Sequence, residues 1–250
     1  MERAPVIRPL ASEADYAACL ALQHETWGPD FGEAVPPAIL KVAQRLGGVA
    51  AGAFDESGRL LGFVFGMTGV EHGRVVHWSD MLAVRPELRD AGLGRRLKAW
   101  QRDAARAAGA VVMYWTYDPL VARNAHLNFN RLGVRAHEYV RDMYGEPTSG
   151  LHRGLGTDRL VVAWPLDADP SPSACPNGEA SELPPALADA PRITIPLDIH
   201  AVLARDPDAA AAWRARTRHE WESLLGDGFR VVCFWRDPAA GTGHYVLARG

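Results

Sequence analysis

The stretch VVHWSDMLAVRPELRDAGLGRRL, from Val75 to Leu97, decides the fold of this chain. Its apolar first half predicts a strand, and its second half predicts a turn, a glycine-rich loop and a helix. Glycine at positions 92 and 94 lets backbone N–H groups approach a ligand closely. A helix after such a loop offers free N–H groups and the positive end of its dipole. The pattern predicts a phosphate or pyrophosphate site, with a plain strand–turn–helix connection as the alternative.

The bulk composition limits the class of protein. The 250 residues are 48% hydrophobic and 23% charged, which fits one large domain or a domain with an appendage. A net charge of −3 with scattered basic residues argues against a nucleic-acid partner or a polybasic membrane patch. No apolar run approaches the ~20 residues of a membrane helix, and the N-terminus has no signal-peptide core.

The cysteines and histidines carry no recognisable metal or redox pattern. The three cysteines, Cys19, Cys175 and Cys233, are far apart and odd in number, which favours reduced thiols and a cytoplasmic protein. The nine histidines show no ligand spacing, so we expect no metal.

Outward from Val75–Leu97, apolar periodicity and turn residues predict the order β-α-α-β-β-β-α-β-α-β-β over residues 1–166. Residues 167–191 are rich in proline and small polar residues, which predicts an extended linker or a surface wrap. Residues 192–250 read as a small βαββ extension. Because about 60 residues are marginal alone, we expect it to pack on the main domain or on a partner subunit.

The pattern L-A-V-x-P-x-x-R-x-x-G-x-G-x-x-L, from Leu82 to Leu97, resembles motif A of the GNAT acyltransferase superfamily. Asn124 and Leu132-Gly133 resemble its motif B. The resemblance implies the GNAT fold, an α/β (α+β) fold whose mixed central sheet is flanked by helices, here with the C-terminal βαββ extension. With its tail, the chain looks like one bacterial branch of the superfamily in which the extension belongs to the protein.

The resemblance also implies an activity. A GNAT protein would transfer an acetyl or other short acyl group, such as succinyl, from acetyl-CoA or another acyl-CoA to the amine of a small molecule such as an amino acid, by direct attack. The loop would hold the pyrophosphate of coenzyme A, and the strand before it would pair with the pantetheine arm. The implied cofactor-binding residues are Leu82, Ala83, Val84, Arg89, Asp90, Ala91, Gly92, Leu93, Gly94, Arg95 and Asn124.

The catalytic base is expected on the strand before the loop. Strand alternation predicts two faces, one with Trp78, Asp80 and Leu82 and one with His77, Ser79 and Met81. By its position before Leu82, Asp80 resembles the base of many GNAT enzymes, although its pKa would have to be raised for this task. A purely structural Asp80 is the alternative reading, and His77 is a second candidate base.

The proton donor is less well marked. Phe129 stands near the position where the family often has a tyrosine acid, so Tyr117 is the first candidate here, with Tyr114 and His126 as alternatives. The predicted acceptor-binding residues are Trp27, Phe31, Trp78, Asn128 and Arg159. The bland readings are that the aromatics pack on the core and that Asp158 and Arg159 form an ion pair.

The C-terminal helix carries two arginines, Arg214 and Arg218, on one face. They either pack on the main domain or bind an acidic group.

Three functions remain open from sequence. The first is an N-acyltransferase whose acceptor is a small-molecule amine. It would bind neither nucleic acid nor a membrane, and a homodimer is compatible with the sequence. The others are a CoA-binding sensor without turnover and a protein acetyltransferase.

Overall fold

A computed structural model of the chain describes residues 4–88, 92–145, 155–167, 173–175, 177–178 and 183–250. Three residues of the predicted loop, Arg89, Asp90 and Ala91, lie outside the described residues. All helices and strands below belong to the described part.

The first eleven elements follow the predicted order, and the predicted fold class is confirmed. They are β1 (Val6–Pro9), α1 (Glu13–Trp27), α2 (Pro37–Arg45), β2 (Val49–Phe54), β3 (Leu60–Glu71), β4 (Arg74–Val84), α3 (Leu93–Ala107), β5 (Val112–Tyr117), α4 (Ala122–Ala125), β6 (Arg135–Val140) and β7 (Arg159–Pro165). The helix that begins with α4 continues as a π-helix over His126–Leu132, which sequence periodicity did not predict.

Five further elements form the C-terminal extension: β8 (Arg192–Pro196), α5 (Ile199–Arg205), α6 (Pro207–Gly226), β9 (Phe229–Asp237) and β10 (Thr242–Arg249). The predicted βαββ pattern lacked only the short helix α5. Asp206 ends α5 and caps α6, since its side chain accepts a hydrogen bond from the Ala209 N–H.

The strands form a seven-stranded sheet in the order β1-β2-β3-β4-β5-β7-β6 and a three-stranded sheet in the order β8-β10-β9. The β4–β5 pairing is parallel, whereas the β1–β2, β2–β3, β3–β4 and β6–β7 pairings are antiparallel, so the large sheet is mixed. By its contacts the chain forms two compact units, whose boundary falls inside β5 between Trp115 and Thr116.

The first unit, whose described residues are 4–88, 92–115 and 165–167, has an apolar core on each face of its strands. On one face, α1 and α2 cover a cluster that includes Leu40, Phe63 and Met81. On the other, α3 covers a cluster that includes Val64 and Leu97. The strands β3 and β4 therefore place side chains against both helical layers.

The second unit holds residues 116–147, 152–164 and 169–250. Its interior contains a ring cluster in which Tyr245 lies 4.8 Å from Trp221 and 4.9 Å from Phe234, between ring centroids. This unit groups the described residues 116–145 and 155–164 with the extension, and the predicted domain boundary at residue 166 stays a prediction.

The expectation of reduced thiols is wrong for two cysteines. Cys175 and Cys233 form a disulfide, while Cys19 is free and buried. The described residues before and after Cys175 lie along β9, since the Ala174 N–H donates to the Val232 carbonyl and the Arg236 N–H donates to the Gly178 carbonyl. A separation of 58 residues hides this pairing from any local sequence pattern. The cysteines therefore no longer support the expected cytoplasmic location.

Among the described residues, no helix combines the length and the apolar character that crossing a bilayer requires.

Candidate active site

A β-bulge interrupts β4 at Asp80. Phe65 of β3 pairs with Met81, but the next residue, Gly66, pairs with Ser79, so Asp80 is the extra residue on its strand. The bulge reverses the alternation of side chains, because an odd residue exchanges the two faces of a strand. This region is called the Asp80 bulge below.

The predicted faces of β4 are therefore wrong beyond Asp80. Ser79 contacts α3, whereas Met81 belongs to the core under α1 and α2. Leu82 packs on the α3 side with Ser79, not on the side of Trp78. Sequence alternation missed the bulge because nothing in Ser79-Asp80-Met81 marks an extra residue.

Beyond the bulge, β4 runs past the end of its parallel pairing with β5. In the described residues this ladder joins Val76–Trp78 to Val112–Tyr114 and extends no further. The β5-facing edge of Met81–Ala83 therefore lies outside the ladder, although the other edge pairs with β3. Backbone donors and acceptors on such an edge can bind an extended ligand as a further strand would.

The helix α3 begins directly beside this edge. Gly92 adopts a left-handed conformation with φ of 79°, and among the described residues no side chain caps the helix. A Cβ built on Gly94 would lie 3.6 Å from Cδ2 of Leu82, so the first turn sits against the end of β4. Leu93 is buried and Arg95 is exposed. The N–H groups of a first helical turn can bind an anion, and the anion site predicted here stays a prediction.

The Asp80 carboxyl is placed among groups that favour its protonated form. Asp80 itself is exposed, but the partial loss of hydration beside its neighbours and the negative charge of Glu33 both raise its pKa, and a hydrogen bond with the Trp78 side chain opposes them. Sequence reasoning missed Glu33, which lies in the loop between α1 and α2. The signal that existed was the position of that loop, which covers the acceptor in the resembled family.

The predicted aromatic wall is packed against the first unit's core. Trp27 ends α1 and stacks on Phe31 at 5.3 Å, and it meets Phe63 edge-on at 6.3 Å. Phe31 is buried, and Trp27 is half-buried. These contacts match the packing interpretation of both rings, and their predicted role in acceptor binding stays a prediction.

Behind β4, a line of hydrogen bonds crosses the interior of the first unit. Lys98 Nζ lies 2.6 Å from Ser79 Oγ, which lies 2.7 Å from Gln101 Oε1. Gln101 Nε2 is 3.0 Å from Nε2 of His77, whose Nδ1 is 3.1 Å from Thr68 Oγ1. This set from Lys98 to Thr68 is called the polar chain below.

The polar chain accounts for His77, the second candidate base. Its ring is completely buried on the α3 side, and both ring nitrogens have partners in the chain. Burial and the charge of Lys98 lower its pKa to about 4. The side chain thus belongs to the interior of the first unit.

Several other predicted residues lie in the second unit. Tyr117 is buried, with its hydroxyl 3.1 Å from that of Tyr245, and burial raises its pKa well above the ordinary value. Phe129 is buried and meets the Tyr245 ring edge-on. Asn128 is buried in the π-helix, and Asn124 lies in α4. Their predicted roles stay predictions.

The expected ion pair between Asp158 and Arg159 is wrong. Asp158 is completely buried and bonds Arg218 of α6 at 2.6 Å, and the Tyr139 hydroxyl also donates to it. Arg159 instead donates to the Asp158 carbonyl and lies 5.3 Å from the Tyr144 ring. Neighbours in sequence point to opposite faces of a strand, which explains the error.

The two arginines of α6 are held by carboxylates of the second unit. Arg214 bonds both oxygens of Asp118 at 2.8 and 2.7 Å, and Arg218 bonds Asp158 and Asp142. The packing interpretation of this helix face is therefore confirmed. Both guanidinium groups therefore have carboxylate partners within the second unit.

No protein-family model matches the sequence, and no curated protein matches it. Solved structures do resemble it. The yncA protein of Salmonella typhimurium, a proposed acetyltransferase solved with acetyl-CoA, is 24% identical, with a TM-score of 0.51 over 69% of this chain and 100% of that one. A GNAT-family acetyltransferase of Streptococcus pneumoniae is 18% identical, with a TM-score of 0.51 over 64% of this chain and 99% of that one.

A chain from the NatC complex bound to Gag peptide and CoA is also similar, at 18% identity and a TM-score of 0.51 over 65% of this chain and 99% of that one. At these identities the likeness concerns the fold. The chain has the GNAT fold, as its sequence motifs predicted.

Proposed function

We propose that this protein is an acyl-CoA-dependent N-acyltransferase acting on the amine of a small molecule. The observation that carries the proposal is the arrangement within the first unit. There the Asp80 bulge, the strand edge Met81–Ala83 and the start of α3 follow one another in sequence, and the first turn of α3 lies against the end of β4. The fold likeness to acetyltransferases, two of them solved with CoA or acetyl-CoA, supports the same assignment.

The residues present fit coenzyme A by their chemistry. The left-handed Gly92 and the first turn of α3 suit a pyrophosphate, because backbone N–H groups and the helix dipole favour an anion there. Gly94 keeps that turn close to Leu82. The strand edge Met81–Ala83 offers backbone groups to the amides of a pantetheine arm.

The acyl transfer needs a deprotonated amine, a stabilised carbonyl oxygen and a departing thiolate. An alkyl amine is protonated at neutral pH, since its pKa is near ~10. Asp80, with its raised pKa, accepts that proton directly or through a water molecule. The amine nitrogen then bonds to the thioester carbon, the carbon–sulfur bond breaks, and the thiolate leaves. A backbone N–H of the β4 edge would stabilise the carbonyl oxygen as its negative charge grows.

The acceptor is an amine that carries a positive charge in solution. Asp80 and Glu33 bring negative charge to the same place, which attracts an ammonium group before it loses its proton. We propose a small molecule, such as an amino acid, as its carrier. The half-buried Trp27 and Trp78 would form walls around its apolar part.

The test is release of free CoA thiol from a panel of acyl-CoA donors and small amines, with peptide N-termini as a separate arm. We expect turnover with at least one small amine. The Asp80→Asn variant should lose about 10²-fold or more in kcat while binding acyl-CoA with unchanged affinity. Turnover confined to peptides would contradict the small-molecule acceptor. An Asp80→Asn variant as active as the natural protein would remove Asp80 as the base.

A CoA-binding sensor is the second candidate function. The observation that favours it is Phe129, a buried residue without a proton to donate near the position where the resembled family often has tyrosine. A sensor would show a rise in melting temperature with acyl-CoA but release no thiol with any amine. The same panel therefore separates the two functions.

A further inference from the structure

The donors and acceptors of the polar chain can be assigned without ambiguity. The Thr68 hydroxyl donates to the Gly47 carbonyl at 2.7 Å, so Thr68 Oγ1 must accept from Nδ1 of His77. The neutral His77 ring then accepts at Nε2 from the amide N–H of Gln101. The amide oxygen of Gln101 accepts from the Ser79 hydroxyl. Ser79 Oγ accepts in turn from Lys98 Nζ. All five bonds run in one direction, from Lys98 to Gly47.

A contribution to stability does not by itself explain the polar chain. Lys98 is 6% exposed, its ammonium lies 4.0 Å from the centre of the Trp115 ring, and burial lowers its pKa to about 7. Apolar side chains of similar size in such a place are often neutral or stabilising. A methionine would fill the same space without the desolvation cost.

The polar chain instead connects the two parts of the candidate site, the Asp80 bulge and the first turn of α3. Lys98 and Gln101 lie one and two turns into α3, whose first turn is the proposed pyrophosphate site. Their common partner, Ser79, immediately precedes Asp80. The side chains of one helix therefore bond the strand at its bulge, while the start of the same helix packs on the end of that strand.

The residue opposite the bulge is shaped for this arrangement. A Cβ built on Gly66 would lie 2.4 Å from His77 Nε2, 2.6 Å from Gln101 Nε2 and 2.6 Å from the Trp78 carbonyl oxygen. Only glycine leaves room for the His77–Gln101 bond. The absence of a side chain at Gly66 on β3 thus leaves room for the polar side chains behind the bulge, while Asp80 itself stays exposed.

We propose that Lys98 and Gln101 are positioning residues for acyl transfer, which hold Ser79 and thereby fix the Asp80 bulge relative to the first turn of α3. The inference rests on the proposed function. Neither residue touches the reacting atoms. They set the distance between the group that binds the anionic end of the acyl donor and the group that takes the proton from the acceptor.

The test is the Lys98→Met variant of the full chain, with Lys41→Met as its control. Lys41 and Lys98 are the only lysines in the sequence, and Lys41 lies on α2 in an exposed pair with Glu13. For Lys98→Met we expect at least about a tenfold loss of kcat, a melting temperature equal to or above that of the natural protein, and acyl-CoA affinity within a few-fold. Lys41→Met should keep its kcat.

If Lys98 only fills space in the interior, its replacement by methionine should leave kcat unchanged. If folded Lys98→Met keeps a kcat within twofold of the natural protein, the positioning role is overturned. Gln101→Leu breaks the chain at its middle and should show the same loss of kcat. Should both variants fail to fold, amide hydrogen exchange at Asp80 and Met81 in the natural protein tests whether the bulge is held in place. Slow exchange is expected, and fast exchange would contradict the inference.

A failure of the proposed function remains distinguishable. If the natural protein shows no turnover with any donor and amine, the proposed function fails, but hydrogen exchange still tests the positioning role. Faster exchange at Ser79–Met81 in Lys98→Met than in the natural protein supports it. Unchanged protection in the variant overturns it.

Discussion

The chemistry of Asp80 depends on two influences that act in the same direction. Partial loss of hydration and the charge of Glu33 raise its pKa, and Asp80 is active as a base only when it is deprotonated. The acid limb of the kcat/KM profile should therefore follow this pKa. Glu33, in the loop between α1 and α2, then influences the pH at which Asp80 of β4 loses its proton.

We predict that Glu33→Gln moves the acid limb of kcat/KM to lower pH. The variant removes a negative charge that raises the Asp80 pKa, so Asp80 loses its proton at a lower pH than in the natural protein. Initial rates of thiol release across the acid range would measure the shift.

Glu56→Gln is the matched control for this prediction. It removes the same charge from the turn between β2 and β3, and its profile should stay unchanged. An acid limb that stays in place or rises in Glu33→Gln would show that Glu33 does not act on the base.

At the scale of elements, α6 is tied to its unit by buried charge. Arg214 and Asp118 have side chains that are 6% and 2% exposed. A buried ion pair adds little net stability, but loss of one partner leaves an uncompensated charge inside the protein. The pair therefore fixes the placement of α6 more than it strengthens the fold.

We predict that Asp118→Asn lowers the free energy of unfolding by about 3–5 kcal/mol. The asparagine keeps an oxygen for the Leu120 N–H, so the loss isolates the charge that faces Arg214. Denaturant titration followed by tryptophan fluorescence measures it.

The control is Glu222→Gln, which removes a carboxylate from the more exposed pair with Arg141 and should cost less than about 1 kcal/mol. Equal losses in the two variants would mean that burial does not set the cost.

The elements also show how far sequence reasoning reaches. Hydrophobic periodicity, the glycine loop and the capping Ser12 were enough to predict the order of the first eleven elements. They failed where structure depends on residues distant in sequence. The Asp80 bulge is defined by the pairing of its strand with Phe65 and Gly66 of β3, and the partner of Asp158 lies 60 residues away in α6. Periods of two or 3.6 residues carry no information about such pairings.

For the whole molecule, the extension belongs to the second compact unit together with residues 116–147 and 152–164. The disulfide closes a long loop within that unit. A crosslink of this kind stabilises mainly by restricting the unfolded chain.

We predict that reduction of Cys175–Cys233 lowers the free energy of unfolding by about 2–4 kcal/mol. Denaturant titration with and without a thiol reductant measures the difference. In the double variant Cys175→Ser with Cys233→Ser, the reductant should have no effect, because Cys19 is a free thiol. A natural protein that is equally stable in both conditions would contradict the prediction.

The space above Gly66 has a consequence for recognising relatives of this protein. The glycine and the polar chain exclude any side chain between them, so they must be inherited together or lost together. Along the sequence they give the signature G-x10-H-x-S-x18-K-x-x-Q, from Gly66 to Gln101. A homologue that replaces the glycine should also replace the histidine or the glutamine. This signature sorts sequences by an interior feature that the glycine-rich loop alone does not reveal.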